Sequence, residues 1–266
     1  MSETSDLILP KPAELWVPTQ DDWSNEHFEL RMQVLTGRTG ERYVRSDETL
    51  ERMGQAEVDT VSGESGSGKS TLQKIVNPRL GINRSLSFTT REPRMEDGEM
   101  EVDGVQYHFF LRKQAYHKAV DGDIAQLKMV HGNLYGSLAS SYEPGRNSID
   151  VVPSTAQEMR GLPFLGKVMN ICVILPTPEA SKHRILGRGH MSPEQLKKRQ
   201  DQSIESHQQL LDDAENFIWI INDELHEAID DYQHALTDHE LPKAKQMKAQ
   251  NAAAAILKHH LADRVS

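Results

Sequence analysis

Three stretches of this chain are almost continuously apolar: residues 148–152, 168–175 and 217–221. Runs of roughly four to eight such residues read as strands buried on both faces, the habit of a parallel sheet. Between and after them the apolar positions spread to a helical spacing, which predicts helices over 177–186, 192–214 and 225–236. Ser192-Pro193-Glu194 opens the longest with a capping serine and a proline in the first turn. Earlier in the chain, a short helix over 113–120 precedes a strand over 124–130. Nearer the front, Val58 and Val61 mark a strand over 56–61, although Glu57 and Asp59 interrupt what a buried parallel strand should keep apolar. Residues 71–76 then read as a helix closed by Pro78. Strands alternating with helices in this way imply a doubly wound α/β core, a parallel sheet with helices on both faces. A last helix over 243–261 sets Met247, Ala254, Leu257 and Leu261 near one face. Residues 1–55 show less order; Pro10, Pro12 and Pro18 break the first part, and short helices are predicted over 26–35 and 46–53.

Between the first strand and its helix stands Gly63-Glu64-Ser65-Gly66-Ser67-Gly68-Lys69-Ser70. It satisfies G-x-x-x-x-G-K-[ST] at every specified position. Glycines let successive backbone N–H groups turn inward around a phosphate, the lysine reaches the β- and γ-phosphates, and the Ser70 hydroxyl can ligate the Mg²⁺ that bridges them. A helix starting near Gly68 aims its positive end at the same phosphates. Gly63, Ser65, Gly66, Ser67, Gly68, Lys69, Ser70 and Thr71 are therefore the candidate ATP-binding residues.

Composition narrows the setting. With 266 residues, 37% hydrophobic and 26% charged, the chain holds one large domain or one domain with appendages. The net charge of −10 argues against a broad nucleic-acid or anionic-membrane surface. One cysteine, Cys172, lies inside an apolar run and is expected as a small core residue. The histidines form no ligand-spaced cluster, so no structural metal is expected. The first residues lack the basic and apolar regions of a secretory signal, and no apolar run is long enough to span a bilayer, which together predict a cytoplasmic protein.

A second phosphate site is predicted downstream. Arg91 and Arg94, three apart among hydroxyl residues beside a strand-like run, suit a phosphate monoester, because guanidinium forks bind phosphate oxygens bidentately. A turn and aromatic strand follow at Asp103–Phe110, then Gly132-Asn133-Leu134-Tyr135-Gly136-Ser137. In this order, the phosphate loop, S-x-S-x-T-T-R-x-P-R, D-G-x-x-Y-x-F and G-N-x-Y-G-S resemble guanylate kinase. The resemblance continues through Arg184, Arg188 and Arg199 to Ile220-Ile221-Asn222-Asp223 and covers roughly residues 57–237.

The resemblance implies a P-loop NTPase-type fold with a small mixed β subdomain that binds the nucleoside monophosphate, and a lid. Its boundaries fall at 1–55 for an N-terminal extension, 56–240 for the kinase-like domain (85–140 acceptor subdomain, 187–199 lid) and 241–266 for a C-terminal helix. It further implies transfer of the ATP γ-phosphoryl to GMP or dGMP, with Mg²⁺. Lys69, Arg188 and Arg199 are its catalytic residues; Ser87, Arg91, Arg94, Tyr107, Gln126, Tyr135, Ser137 and Asp150 hold the acceptor. Four departures stand out. Gln126 occupies the place of a glutamate that reads guanine, only Asp150 remains of a D-x-D pair, Glu64 replaces a common proline, where it is expected to set an acid near the ATP phosphates, and an insertion over 95–101 is longer and more acidic than the resemblance leads one to expect. Gln126 and the incomplete pair keep a second acceptor in view, another nucleoside monophosphate or a phosphorylated ribose. A non-catalytic protein-binding module is the reading of a different class. The tail helix is expected to pack within the chain, with a homo-oligomer through it as the alternative.

Overall fold

The computed structural model describes residues 44–96, 99–130, 132–186 and 193–265. The helix expected over 26–35, Arg188 and the glycine-flanked turn around it lie outside the described residues. The first element is helix α1 (Asp47–Gly54), whose N-cap Ser46 accepts the Thr49 N–H through its hydroxyl.

The larger of two main sheets is fully parallel, in the order β11-β10-β1-β9-β2. Its strands are β1 (Ala56–Ser62), β2 (Asn83–Arg84), β9 (Gly145–Asp150), β10 (Lys167–Ile174) and β11 (Ile218–Ile221). Alternate residues of each strand feed opposite faces. Val58, Cys172, Ile174 and Trp219 pack with helices α4 (Pro153–Arg160), α6 (Pro193–Asp212) and α8 (Lys243–Val265) on one side. Val61, Ile171, Val173 and Ile220 pack with α2 (Lys69–Val76) and α7 (Leu225–Asp238) on the other. Burial pushes the Cys172 thiol well above its ordinary range, as befits an inert core residue.

The two acids that disturb the apolar pattern of β1 have separate solutions. Glu57 is exposed. Asp59 is buried and receives Arg146 of β9 through Nε at 2.7 Å and Nη2 at 3.3 Å. Burial still pushes its carboxyl upward against that partner.

The smaller sheet is mixed, ordered β6-β3-β8-β7, with β3 (Ser87–Thr89), β6 (His108–Phe109), β7 (Ile124–Val130) and β8 (Asn133–Leu138). The expected aromatic strand shrinks to the two residues of β6; the Phe110 N–H beyond it still donates to the Thr89 carbonyl at 2.9 Å, and its ring stacks on Phe88 at 5.1 Å. Helix α3 (Arg112–Val120) covers one face, where Phe88, Ile124, Leu127 and Leu134 meet Ala115, Tyr116 and Ala119. A two-strand ribbon, β4 (Met95–Glu96) and β5 (Glu99–Met100), carries the acidic insertion.

Two local expectations need correction, and one helix adds to them. The strand expected over 148–152 runs from Gly145 to Asp150, because Pro153 starts a helix three residues later. That helix, α4, is not apparent from apolar spacing. The buried stripe of α8 is Ala249, Ala252, Ala253, Ile256, Leu257 and His260, whereas Met247 and Leu261 are exposed. Alanines make up much of this face where α8 lies close against β11 and α6, with Ile256, Leu257 and His260 filling the remainder.

Candidate active site

All five strands of the parallel sheet end toward the loop that follows β1, where open α/β sheets bind ligands. In that loop, Gly63, Gly66 and Gly68 adopt positive φ of 140°, 87° and 94°. Space as well as backbone demands two of them. A Cβ on Gly63 would meet the Val173 carbonyl at 2.3 Å, and one on Gly68 would meet the Asn222 amide at 2.1 Å. Asn222, just beyond β11, donates to the Ser67 carbonyl at 2.7 Å and so ties the loop to the sheet. Lys69 opens α2, and its Nζ donates to the carbonyls of Gly63 and Glu64, each at 2.9 Å. The ammonium is thereby held against the loop. Ser70 stands half-buried in the first helical turn and Thr71 exposed beside it.

The acceptor candidates assemble on the smaller sheet, and register explains how. Ser87 pairs with Ser137, and Ser137 with Gln126, giving one row across three strands. Thr89, Tyr135 and Lys128 form the next row on the same face. Phe88, Gly136 and Leu127 lie between the rows and therefore point the other way, into the α3 core. Gly136 cannot carry a side chain there: its Cβ would come within 2.7 Å of the Phe88 ring. Ser137 is fully buried and shares a 2.8 Å hydrogen bond with Tyr142 Oη.

Arg91 is clasped by Glu101, with Nη1 at 2.5 Å from Oε2 and Nη2 at 2.7 Å from Oε1. The Arg94 N–H adds a third hydrogen bond to Glu101, at 2.8 Å. Burial alone would raise the Glu101 carboxyl, but these bonds carry it below the ordinary glutamate range. Burial likewise opposes charge on Arg91, and Glu101 more than restores it. The guanidinium lies 5.0 Å from the centre of the Tyr107 ring, and Tyr135 meets Tyr107 edge-on at 6.2 Å. Burial and the nearby Asp150 charge push the Tyr107 phenol up, so it remains a hydrogen-bond donor at neutral pH. Glu101 closes the acidic stretch 95–101, and only folding brings it onto Arg91.

Asp150, at the end of β9, joins the two halves. Its Oδ1 is 3.9 Å from Lys69 Nζ, and its carbonyl accepts from Ser87 Oγ at 3.4 Å. On the far side of the loop, Arg199 of α6 brings Nη1 to 3.5 Å from Ser65 Oγ. The expectation for Glu64 is overturned: it is buried, and its carboxylate accepts from Ser181 and Ser203 on α5 (Pro178–Leu186) and α6, away from the mouth of the loop. A cavity of about 390 Å³ lined by Lys167, Asn170 and His239 opens at the opposite ends of the strands, remote from this constellation.

The chain matches the family model described as guanylate kinase over residues 58–239. It is 34% identical over 174 residues to a guanylate kinase of Fusobacterium nucleatum subsp. nucleatum, a match covering 64% of this chain and 90% of that protein. A guanylate kinase of Pseudomonas fluorescens is 30% identical over 194 residues, covering 70% and 89%. Among solved structures, a guanylate kinase from Anaplasma phagocytophilum aligns with a TM-score of 0.48 and 19% identity, over 71% of this chain and 89% of that one.

Proposed function

This chain belongs to the guanylate kinase family, and from that premise we propose how its own residues perform the family's reaction. The activity is ATP-dependent phosphorylation of GMP: the GMP phosphate oxygen attacks the γ-phosphorus, the bond to the β,γ-bridging oxygen breaks, and ADP and GDP leave. Such transfer asks little covalent chemistry of a protein. It asks that two anions be held in line while negative charge spreads.

The observation that carries the residue assignment is the meeting of loop and acceptor row at Asp150, with Lys69 at 3.9 Å from its carboxylate and Ser87 at 3.4 Å from its carbonyl. Lys69 and the N–H groups from Ser65 to Thr71 hold the ATP phosphates, aided by the positive end of α2. Arg91, Arg94, Tyr107 and Tyr135 hold the GMP phosphate, with Glu101 keeping Arg91 aligned. Ser87, Ser137 and Gln126 face the guanine base. Arg199, with Arg188, supplies positive charge from the lid side. The hydroxyl of Ser70 is a hard oxygen donor in the first turn of α2 and fits Mg²⁺, which would neutralise phosphate charge when bound with ATP. The lid excludes water, so that GMP rather than solvent receives the phosphoryl group.

A coupled ADP-release assay with Mg·ATP and GMP, dGMP, AMP, IMP, UMP or CMP tests this reading. GMP should give the highest kcat/KM, and Lys69→Ala should lower kcat on the order of 10²–10³-fold. Equal turnover by wild type and Lys69→Ala would overturn the assignment of the loop.

A further inference from the structure

Glu64, the second residue of the phosphate loop, has no part in the reaction as derived. It is nonetheless only 4% exposed, and three helices converge on it. Its Oε2 accepts from Ser181 Oγ of α5 at 2.7 Å and from Ser203 Oγ of α6 at 3.0 Å. Ser181 Oγ lies 3.0 Å from Nε2 of His260, a residue of α8 that is 2% exposed. His207, one turn along from Ser203, sets Nδ1 at 2.8 Å from the Ser203 carbonyl and 3.3 Å from its hydroxyl.

The chemistry of the groups orders the protons. A carbonyl only accepts, so His207 carries its proton on Nδ1. A carboxylate only accepts, so both serine hydroxyls donate to Glu64. The Ser181 oxygen then accepts from His260, which carries its proton on Nε2. The donors of Ser203, Ser181 and, through Ser181, His260 are thus directed toward one carboxylate oxygen of the loop. The outer atoms, Glu64 Oε1, His207 Nε2 and His260 Nδ1, are buried and meet no hydrogen-bond partner among the described residues. The same Glu64 presents its backbone carbonyl to Lys69 Nζ at 2.9 Å and to the Ser67 N–H at 3.2 Å. One residue therefore links the C-terminal helix to the lysine that meets ATP.

We propose that Glu64, Ser181, Ser203 and His260 are positioning residues for the ATP site, through which α8 sets the turn of the phosphate loop while His260 is neutral. Burial lowers the His260 pKa below the ordinary 6.5; His207 and His259 act in the same direction, and Glu64 and Asp263 against it. Lys182 of α5, which faces the same end of α8, is paired with Asp263 at 3.5 Å. A depressed value means that the contribution of this histidine is present above about pH 6.5 and is lost as pH falls through the folded value. The added proton would sit on Nδ1, which meets no partner among the described residues.

Steady-state kinetics on the full chain, with KM for ATP and for GMP measured separately, tests the proposal. Glu64→Ala should raise KM for ATP about tenfold and leave KM for GMP within about twofold, the loss expected of a charge-assisted hydrogen bond. Glu64→Gln should stay near wild type, since its amide oxygen accepts the same two hydroxyls. His260→Gln can donate to Ser181 without titrating. It should match wild type near pH 7.5 and lack the wild-type rise in KM for ATP toward about pH 5.5. A KM for ATP indifferent to Glu64→Ala would overturn the proposal. So would both KM values rising together with a fall in Tm, the mark of a merely structural network. If Glu64→Ala does not fold, Ser203→Ala removes one donor and is read by the same criteria. The inference rests on Gly63–Ser70 being the ATP loop. Failure of that reading shows as a wild type without GMP-dependent ADP release; failure of the inference shows as an active enzyme whose KM for ATP ignores this network.

Discussion

Gln126 carries the acceptor question at the scale of single residues. A glutamate here could accept from both the N1–H and the N2–H₂ of guanine, whereas an amide offers one acceptor and presents a donor beside it. The residue is nearly buried on β7, in the row with Ser137 and Ser87, so its choice of partners is limited by the sheet. Gln126→Glu should therefore lower KM for GMP about tenfold, the worth of one charge-assisted bond, and leave KM for ATP unchanged. Initial-rate kinetics with each substrate varied in turn checks this. Nothing in the comparisons favours a different acceptor: the relatives matched over most of their length are guanylate kinases. Glu101 teaches the complementary lesson. Its hydrogen bonds with Arg91 and the Arg94 N–H put it on the proposed acceptor side, yet no spacing rule marks one acid among the several in its insertion.

The elements show where periodicity speaks and where it misleads. In β10 and β11 the apolar runs are buried on both faces, and the sheet follows from them directly. In α8 only Leu257 of the four expected residues is buried; the contact face turns instead on Ala249, Ala252, Ala253, Ile256 and His260. Distance contributes: where the helix is seated close against β11 and α6, alanines fill much of the contact. Ile256→Ala should cost about 2–5 kcal/mol as a core truncation, while Met247→Ala, at a position 60% exposed, should stay within about 0.5 kcal/mol. Urea denaturation at neutral pH separates the two. Asp59 is the parallel case in a strand, an acid made tolerable in β1 by Arg146 one strand away.

Across the whole molecule, the proposed assignment puts the two substrates on different sheets, which meet at Asp150. In that assignment ATP takes the loop after the central parallel strand, and GMP the mixed sheet packed on α3. A bridge from Lys128 to Ser154 and Glu158 also ties the mixed sheet to α4 of the core. Each ligand should stabilise the fold alone, by about 2.7 kcal/mol at a concentration one hundred times its Kd. Lys69→Ala should abolish the shift in Tm caused by Mg·ATP and keep the shift caused by GMP. A thermal melt with each ligand separately and with both reads this directly. Among the described residues no helix is long and apolar enough to cross a membrane, and the apolar stripe of α8 is covered by the chain's own core.

The sequence alone determined what depends on local pattern. The phosphate loop is legible because glycine φ, lysine reach and the following helix are set within a few consecutive residues. The parallel core is legible because strands buried on both faces must be apolar throughout. Arg91, Tyr107, Tyr135 and Gln126 could be marked in the chain, but only strand register put Gln126 beside Ser137 and only folding set Glu101 on Arg91. The direction of the Glu64 carboxylate, the face of α8 and the line from His260 to the loop were likewise decided by tertiary structure. In each of these the partners lie far apart in the chain: Glu64 and Ser181 are separated by 117 residues, and Ser181 and His260 by 79. A hydrogen bond between such groups is chosen by the packing of helices on the sheet, and no periodicity along the chain records it.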